Sequence, residues 1–147
     1  MSIADTLAAE LAARISAITV ANGYATDIGL RVFEGRRRLD ESHIPCAVIV
    51  EGDDAPSGQQ IGKIKNVARY AVEGIAPCDA DHPNVAGRAI VADIKKAIWG
   101  GDITFGRTIV SLDYIGRTIA PRDDGLETVS AAIEFSLSFA ETLASGG

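Results

Sequence analysis

The sequence predicts an α+β domain: a single antiparallel or mixed sheet with two helices packed on one face. Three observations carry this. Leu7, Leu11, Ile15 and Ile18, and then Ile90, Ile94 and Ile98, form single apolar stripes at helical spacing. Two later stretches alternate apolar and polar residues with a period of two, as a strand with one covered face does. The elements run helix, two strands, long strand, helix, strand, long strand. That order lacks the repeated strand–helix alternation of a doubly wound parallel sheet. A chain of 147 residues suits one domain with its own core. We take it as 1–147, with 143–147 expected to be disordered.

The first helix is expected to start near residue 3, because Ser2 and Asp5 have capping-box spacing, and to stop at Asn22-Gly23. Its polar face is not basic, so it reads as a cover for a sheet rather than a membrane anchor. Leu30 to Phe33 is a short strand. Cys46 to Val50 does not alternate and reads as a strand buried on both faces. Asp53 to Gln60, which holds Pro56 and Gly58, reads as a loop. In the long strand that follows, Ile64, Ala68, Tyr70 and Val72 share one face, and Lys63, Lys65, Arg69 and Glu73 share the other. Ala76 to His82 reads as a loop. Pro83 is placed as the first residue of the second helix, with Asp81 or His82 as its cap, Lys95 and Lys96 in its last turn, and Gly100-Gly101 as its stop. Thr108 to Ile115 is a strand, and Asp123-Asp124-Gly125 a turn. Val129, Ala131, Ile133, Phe135, Leu137 and Phe139 then alternate with Ser130, Ala132, Glu134, Ser136 and Ser138. The open face of the sheet is expected to keep Lys63, Lys65, Arg69, Glu134 and the serines.

Composition narrows the function. The formal charge of −6 argues against DNA or RNA as the main ligand, since phosphate binding needs a basic surface. Trp99 is the only tryptophan and aromatics are few, which disfavours a stacking platform for single strands. Cys46 and Cys78 are too few for a disulfide framework. The opening Met1-Ser2-Ile3-Ala4-Asp5 lacks the basic start of a signal peptide, and no stretch approaches a bilayer-spanning length. The expected setting is a reducing cytoplasm.

The sequence holds little sign of catalysis. His43 and His82 stand at no ligand spacing from each other or from a cysteine, so neither a metal nor a cofactor is expected. There is no nucleophile elbow, P-loop or dinucleotide fingerprint. Carboxylates cluster at Glu51-Asp53-Asp54 and at Asp123-Asp124. A hydrolase could use such a pair, but acidic pairs in glycine-containing loops are usually turn residues. A small enzyme or ligand-binding domain using the Asp53-Asp54 loop is the alternative from another class.

The most distinctive feature is a pair of opposite charge blocks. Arg36-Arg37-Arg38 precedes the apolar strand and Glu51-Gly52-Asp53-Asp54 follows it. A strand that short separates its ends by roughly 20 Å. A basic patch at one edge and an acidic patch at the other suit a protein that binds copies of itself head to tail. The plainer reading is two solvated loops.

Four segments, taken in order and spacing, carry a family resemblance. They are Arg31-Val32-Phe33-Glu34-Gly35-Arg36-Arg37, then Ile44-Pro45-Cys46-Ala47-Val48-Ile49-Val50-Glu51-Gly52-Asp53-Asp54, then Ala92-Asp93-Ile94-Lys95-Lys96-Ala97-Ile98-Trp99, and Tyr114-Ile115-Gly116-Arg117-Thr118-Ile119-Ala120-Pro121. Over roughly residues 3 to 141 the chain resembles the tail terminator (tail completion, minor tail) proteins of long-tailed phages. The resemblance implies a structural virion protein without enzymatic activity or cofactor, assembled in the host cytoplasm and located at the head–tail junction. Copies would form a ring, expected to be a hexamer, that caps the tail tube protein and meets the head-completion or connector protein. DNA would pass through the lumen without specific binding, and no membrane would be involved. The expected interface or lumen residues are Arg36, Arg37, Arg38, Glu51, Asp53, Asp54, Asp123 and Asp124. Another head–tail joining or tail tube component is the neighbouring alternative.

Overall fold

The computed structural model describes residues 2–35, 41–120 and 127–143. Helix α1 (Ile3–Ser16) begins on the capping box: the Asp5 amide donates to Ser2 Oγ at 3.0 Å, and the Ser2 amide donates to the Asp5 carboxylate at 3.2 Å. The expected stop at Asn22-Gly23 is too late, because the helix ends at Ser16. A separate 3-10 turn, Val20–Asn22, is capped by Thr19 and closed by Gly23 at φ 90°. There the Val20 amide donates to Asp27 Oδ1 at 2.8 Å. Such side-chain-to-backbone bonds offer the chain an alternative to another helical turn. Ile18 is nevertheless fully buried.

Strands β1 (Val32–Glu34), β2 (Cys46–Gln60), β3 (Lys63–Pro77), β4 (Ser111–Ala120) and β5 (Thr128–Thr142) form one sheet in the order β1-β2-β3-β5-β4. β1 pairs parallel with β2 and the other pairs are antiparallel, so the sheet is mixed. Helix α2 (Pro83–Trp99) has Pro83 at its start, His82 as its cap and Gly100 as its C-cap. The fold class is the predicted one. Several boundaries moved. Leu30 closes a 3-10 helix, Ile28–Leu30, rather than opening β1. β3 runs through Ala76 to Pro77, which pair with Val129 and Thr128. Thr108 and Ile109 belong to a turn in which both amides donate to the Thr104 carbonyl.

The largest correction concerns 53–60, which is strand and not loop. Asp, Pro and Gly disfavour strands, but β3 supplies a continuous partner along this whole stretch. Beyond the short β1, β2 is an edge, the place in a sheet where a proline such as Pro56 is tolerated. Two register irregularities, between Glu51 and Asp54 and between Pro56 and Gly58, absorb the extra residues as bulges.

Even-numbered residues of β3 and odd-numbered residues of β5 join Leu7, Leu11, Ile15, Ile90, Ile94 and Ile98 in one core, so both helices cover one face. Phe135 sits at its centre, stacked on Tyr70 and edge-on to Trp99, each at 5.8 Å. Arg14 ties the two helices together. Its guanidinium donates to the carbonyls of Ile98 and Asp102 and lies 3.9 Å over the Phe105 ring. The opposite face is less wet than expected. Ser136 and Ser138 are buried, because β5 is an interior strand and small hydroxyls there sit low between side chains of β3 and β4. Cys46 and Val48 are also buried, as a strand covered on both faces requires.

Candidate assembly surface

The long β2 and β3 have a structural consequence. Their N-terminal and C-terminal halves respectively lie in the packed body, while the other halves continue as a ribbon to a two-residue turn at Ile61-Gly62, with Gly62 at φ 75°; Asn66 and Phe139 on it are still buried, so only its far end, from Lys65 outward, stands clear of the core. The last part of β5 follows β3 to the end of the ribbon, pairing Thr142 with Lys63. The Leu143 amide closes the tip by donating to the Gly62 carbonyl at 2.9 Å. Leu143 therefore has a defined place, and residues 144–147 lie outside the described residues. Every β2 residue from Glu51 to Gln60 is exposed, and Ile61 at the tip is fully so. From Glu51 to Gln60 the ribbon spans roughly 30 Å.

The two faces of the ribbon differ in charge. On the face continuous with the helix-covered side, Glu51 stands opposite Tyr70, Asp54 opposite Ala68 and Glu141 opposite Ile64. The buried Asn66 lies between them and its amide nitrogen donates to both the Asp54 and the Glu141 carboxylates. Glu51, Asp54 and Glu34 also lie near the Tyr70 phenol. Burial first, and then these three negative charges, push its pKa up to about 12. On the other face, Lys63, Lys65 and Arg69 project from alternate positions of β3 and are exposed. Among the described residues none of the three is in ion-pair contact with a carboxylate. Arg69 shares a cavity of about 270 Å³ with Asp53, Glu134 and Ile115.

This geometry sorts the residues expected from the sequence. Glu51, Asp53 and Asp54 are not a loop at the end of a short strand. They lie within β2, and they do not act together. Asp53 lines the cavity on the lysine face, whereas Asp54 binds Asn66 on the other. Asp53 and Asp54 therefore do not form the carboxylate pair that a hydrolase would use. Arg36, Arg37, Arg38, Asp123 and Asp124 lie outside the described residues. Asn66 and Glu141 were missed. Their signal was present: each is a polar residue at an otherwise apolar position of its alternating strand.

A second concavity, of about 580 Å³, lies at the opposite end of β3, lined by Ala76, Cys78, Val85, Ala86 and His82 among others. His82 Nδ1 is 3.3 Å from Asp79 Oδ2, and both side chains are mostly exposed. Among the described residues no group of three or more His, Cys, Asp or Glu side chains is placed to hold a metal ion. No helix among them is long and apolar enough to cross a membrane. No protein-family model matches the chain, and no curated protein matches it significantly.

Proposed function

We propose that this protein is a structural virion component, a tail terminator whose copies close into a ring on the end of the tail tube. The observation that carries the reading is the ribbon. A packed α+β body extends β2, β3 and β5 past its core to a common tip, with an exposed β2 edge from Glu51 to Gln60 and exposed cations on one face of β3. Such a part serves contact between molecules, and a heterologous contact that closes on rotation gives a ring. The sequence resemblance supplies the setting: six copies, a tail tube protein on one side, a head-completion protein on the other, and DNA passing through the lumen without specific binding. No reaction or cofactor belongs to this reading.

The experiment adds the purified chain to the tube protein during polymerisation. Tubes are expected to stop at shorter lengths and to carry one cap of density at one end. Incorporation of the chain along the tube would overturn the terminator reading in favour of a tube component.

A further inference from the structure

We infer that neighbouring copies meet end to end, the ribbon tip of one seated in the hollow between the end of β3 and the start of α2 of the next. This rests on the proposed ring and names the contact that makes it. The tip is an apolar knob. Ile61 is fully exposed in the two-residue turn. Leu143, held beside it by the bond from its amide to the Gly62 carbonyl, is exposed as well. Hairpin turns of this length favour Asn, Asp and Gly, so nothing in the turn itself calls for an isoleucine there. The hollow is the matching concavity. It holds about 580 Å³, and Ala76, Pro77, Cys78, Val85, Ala86 and Ala89 give it a mainly apolar lining. Val85 is itself exposed. A concavity of that size has room for a compact apolar part such as a hairpin tip.

The occupant is a second copy of this chain. β3 runs from the turn to the hollow as one paired strand, Lys63 to Pro77, and separates the two by roughly 45 Å, so no copy fills its own hollow. The charges around knob and hollow are complementary. Lys63 and Lys65 are exposed beside the knob, and the nearby carboxylate of Glu141 accepts the Asn66 amide. Asp79 lines the hollow, with Asp81 and Glu127 exposed next to it. The Asp81 amide donates to Asp79 Oδ1 at 3.0 Å and the Cys78 amide to the Glu127 carbonyl at 2.8 Å, which fixes these acidic residues at the rim. Of the cations near this end, His82 stands against Asp79, and Arg88, one turn further along α2, does not line the hollow. Knob and hollow are different surfaces, so the contact is heterologous. Each copy gives one and receives one, and neither is left over in a closed ring.

The native Cys78 in the hollow allows a direct test, since Cys46 is fully buried. The full chain carrying Ile61→Cys is assembled, then treated with a mild oxidant or a short bis-maleimide, and run on a denaturing gel. A ladder of covalent oligomers up to the closed ring is expected. Wild type, and Ile61→Cys combined with Cys78→Ser, should give no ladder. In parallel, Ile61→Asp and Val85→Asp are followed by sedimentation velocity, with circular dichroism to check folding. Both positions are exposed, so both variants should fold, and each should associate roughly tenfold or more weakly than wild type. A wild type that forms the ring while Ile61→Cys assembles without a ladder overturns the seating and leaves the ring standing. Covalent dimers that persist after Cys78→Ser mean that tips meet tips, and overturn it too. So does either folded aspartate variant that associates like wild type, including one that loses only its binding to the tube protein, which would assign the contact to that partner. A wild type that is monomeric throughout overturns the ring reading itself.

Discussion

Gly29→Ala is the sharpest test of how the body is packed. Gly29 is fully enclosed where the chain turns back against the end of α1, and its amide donates to the Ile18 carbonyl at 2.8 Å. A Cβ built there would stand 2.5 Å from the Ile15 carbonyl oxygen, 2.6 Å from that of Ile18 and 2.8 Å from the Ile18 nitrogen. All three are backbone atoms, so no rotamer change relieves the overlap. The turn must move away from α1, and Ile15, Ile18 and Ile28, all fully buried, must lose contacts with it. Overpacking usually costs about 1–3 kcal/mol, and a clash with backbone alone belongs at the upper end of that range. For a chain of this length about 3 kcal/mol lowers the melting temperature by roughly 10 °C. Thermal unfolding followed by circular dichroism measures it. Gly58→Ala is the control, because its Cβ would meet nothing within 4 Å, and it should melt within about 1 °C of wild type. A Gly29→Ala protein that melts with the control would refute the placement of this turn against α1.

Three further outcomes follow from buried and hydrogen-bonded groups. Asp93, almost fully buried in α2, accepts the Ala25 amide at 3.1 Å and the Thr26 amide and hydroxyl at 2.8 and 2.7 Å; Asp93→Ala should cost about 2–4 kcal/mol in urea unfolding, and an unchanged midpoint would contradict this anchoring of the 24–27 segment to α2. Ile94 is fully buried, so Ile94→Asp should leave little folded protein at 37 °C, read as loss of the cooperative melt. Burial and the nearby carboxylates raise the folded-state pKa of the Tyr70 phenol to about 12, from an ordinary phenol value of 10. A raised value means stability is fully present below pH 10 and is lost as pH climbs from 10 through 12, since only the unfolded chain releases its proton in that window. Tyr70→Phe should flatten the alkaline part of the stability–pH curve, and an identical slope above pH 10 in both proteins would show that Tyr70 does not contribute.

Most of the body was readable because its patterns have a single physical cause. The stripes Leu7-Leu11-Ile15 and Ile90-Ile94-Ile98 face one sheet, and the alternation from Val129 to Phe139 follows from one covered face. Ser2 and Asp5 mark the start of α1 through a local hydrogen-bond pair that needs no tertiary partner. The misreadings arose where distant partners decide. Asp53 to Gln60 has the residues of a loop, and only β3 makes it a strand. Asn22-Gly23 does close a turn, but a 3-10 turn beyond the helix, held by Thr19 and Asp27. At the candidate surface the alternation itself marked Lys63, Lys65 and Arg69 as one face. What was not legible was that Asp53 and Asp54 separate to opposite faces across a bulge, or that Asn66 gathers Asp54 with Glu141 from a strand 75 residues away in sequence.

The central claim, that this chain assembles with itself into a closed ring, is tested most directly by its mass in solution. Light scattering behind size-exclusion chromatography, with negative-stain images of the same peak, gives both stoichiometry and shape. A hexameric ring gives a species of about 92 kDa, six times the 15.4 kDa chain, with sixfold views and a central channel. A single 15.4 kDa species across micromolar to near-millimolar concentration would contradict it.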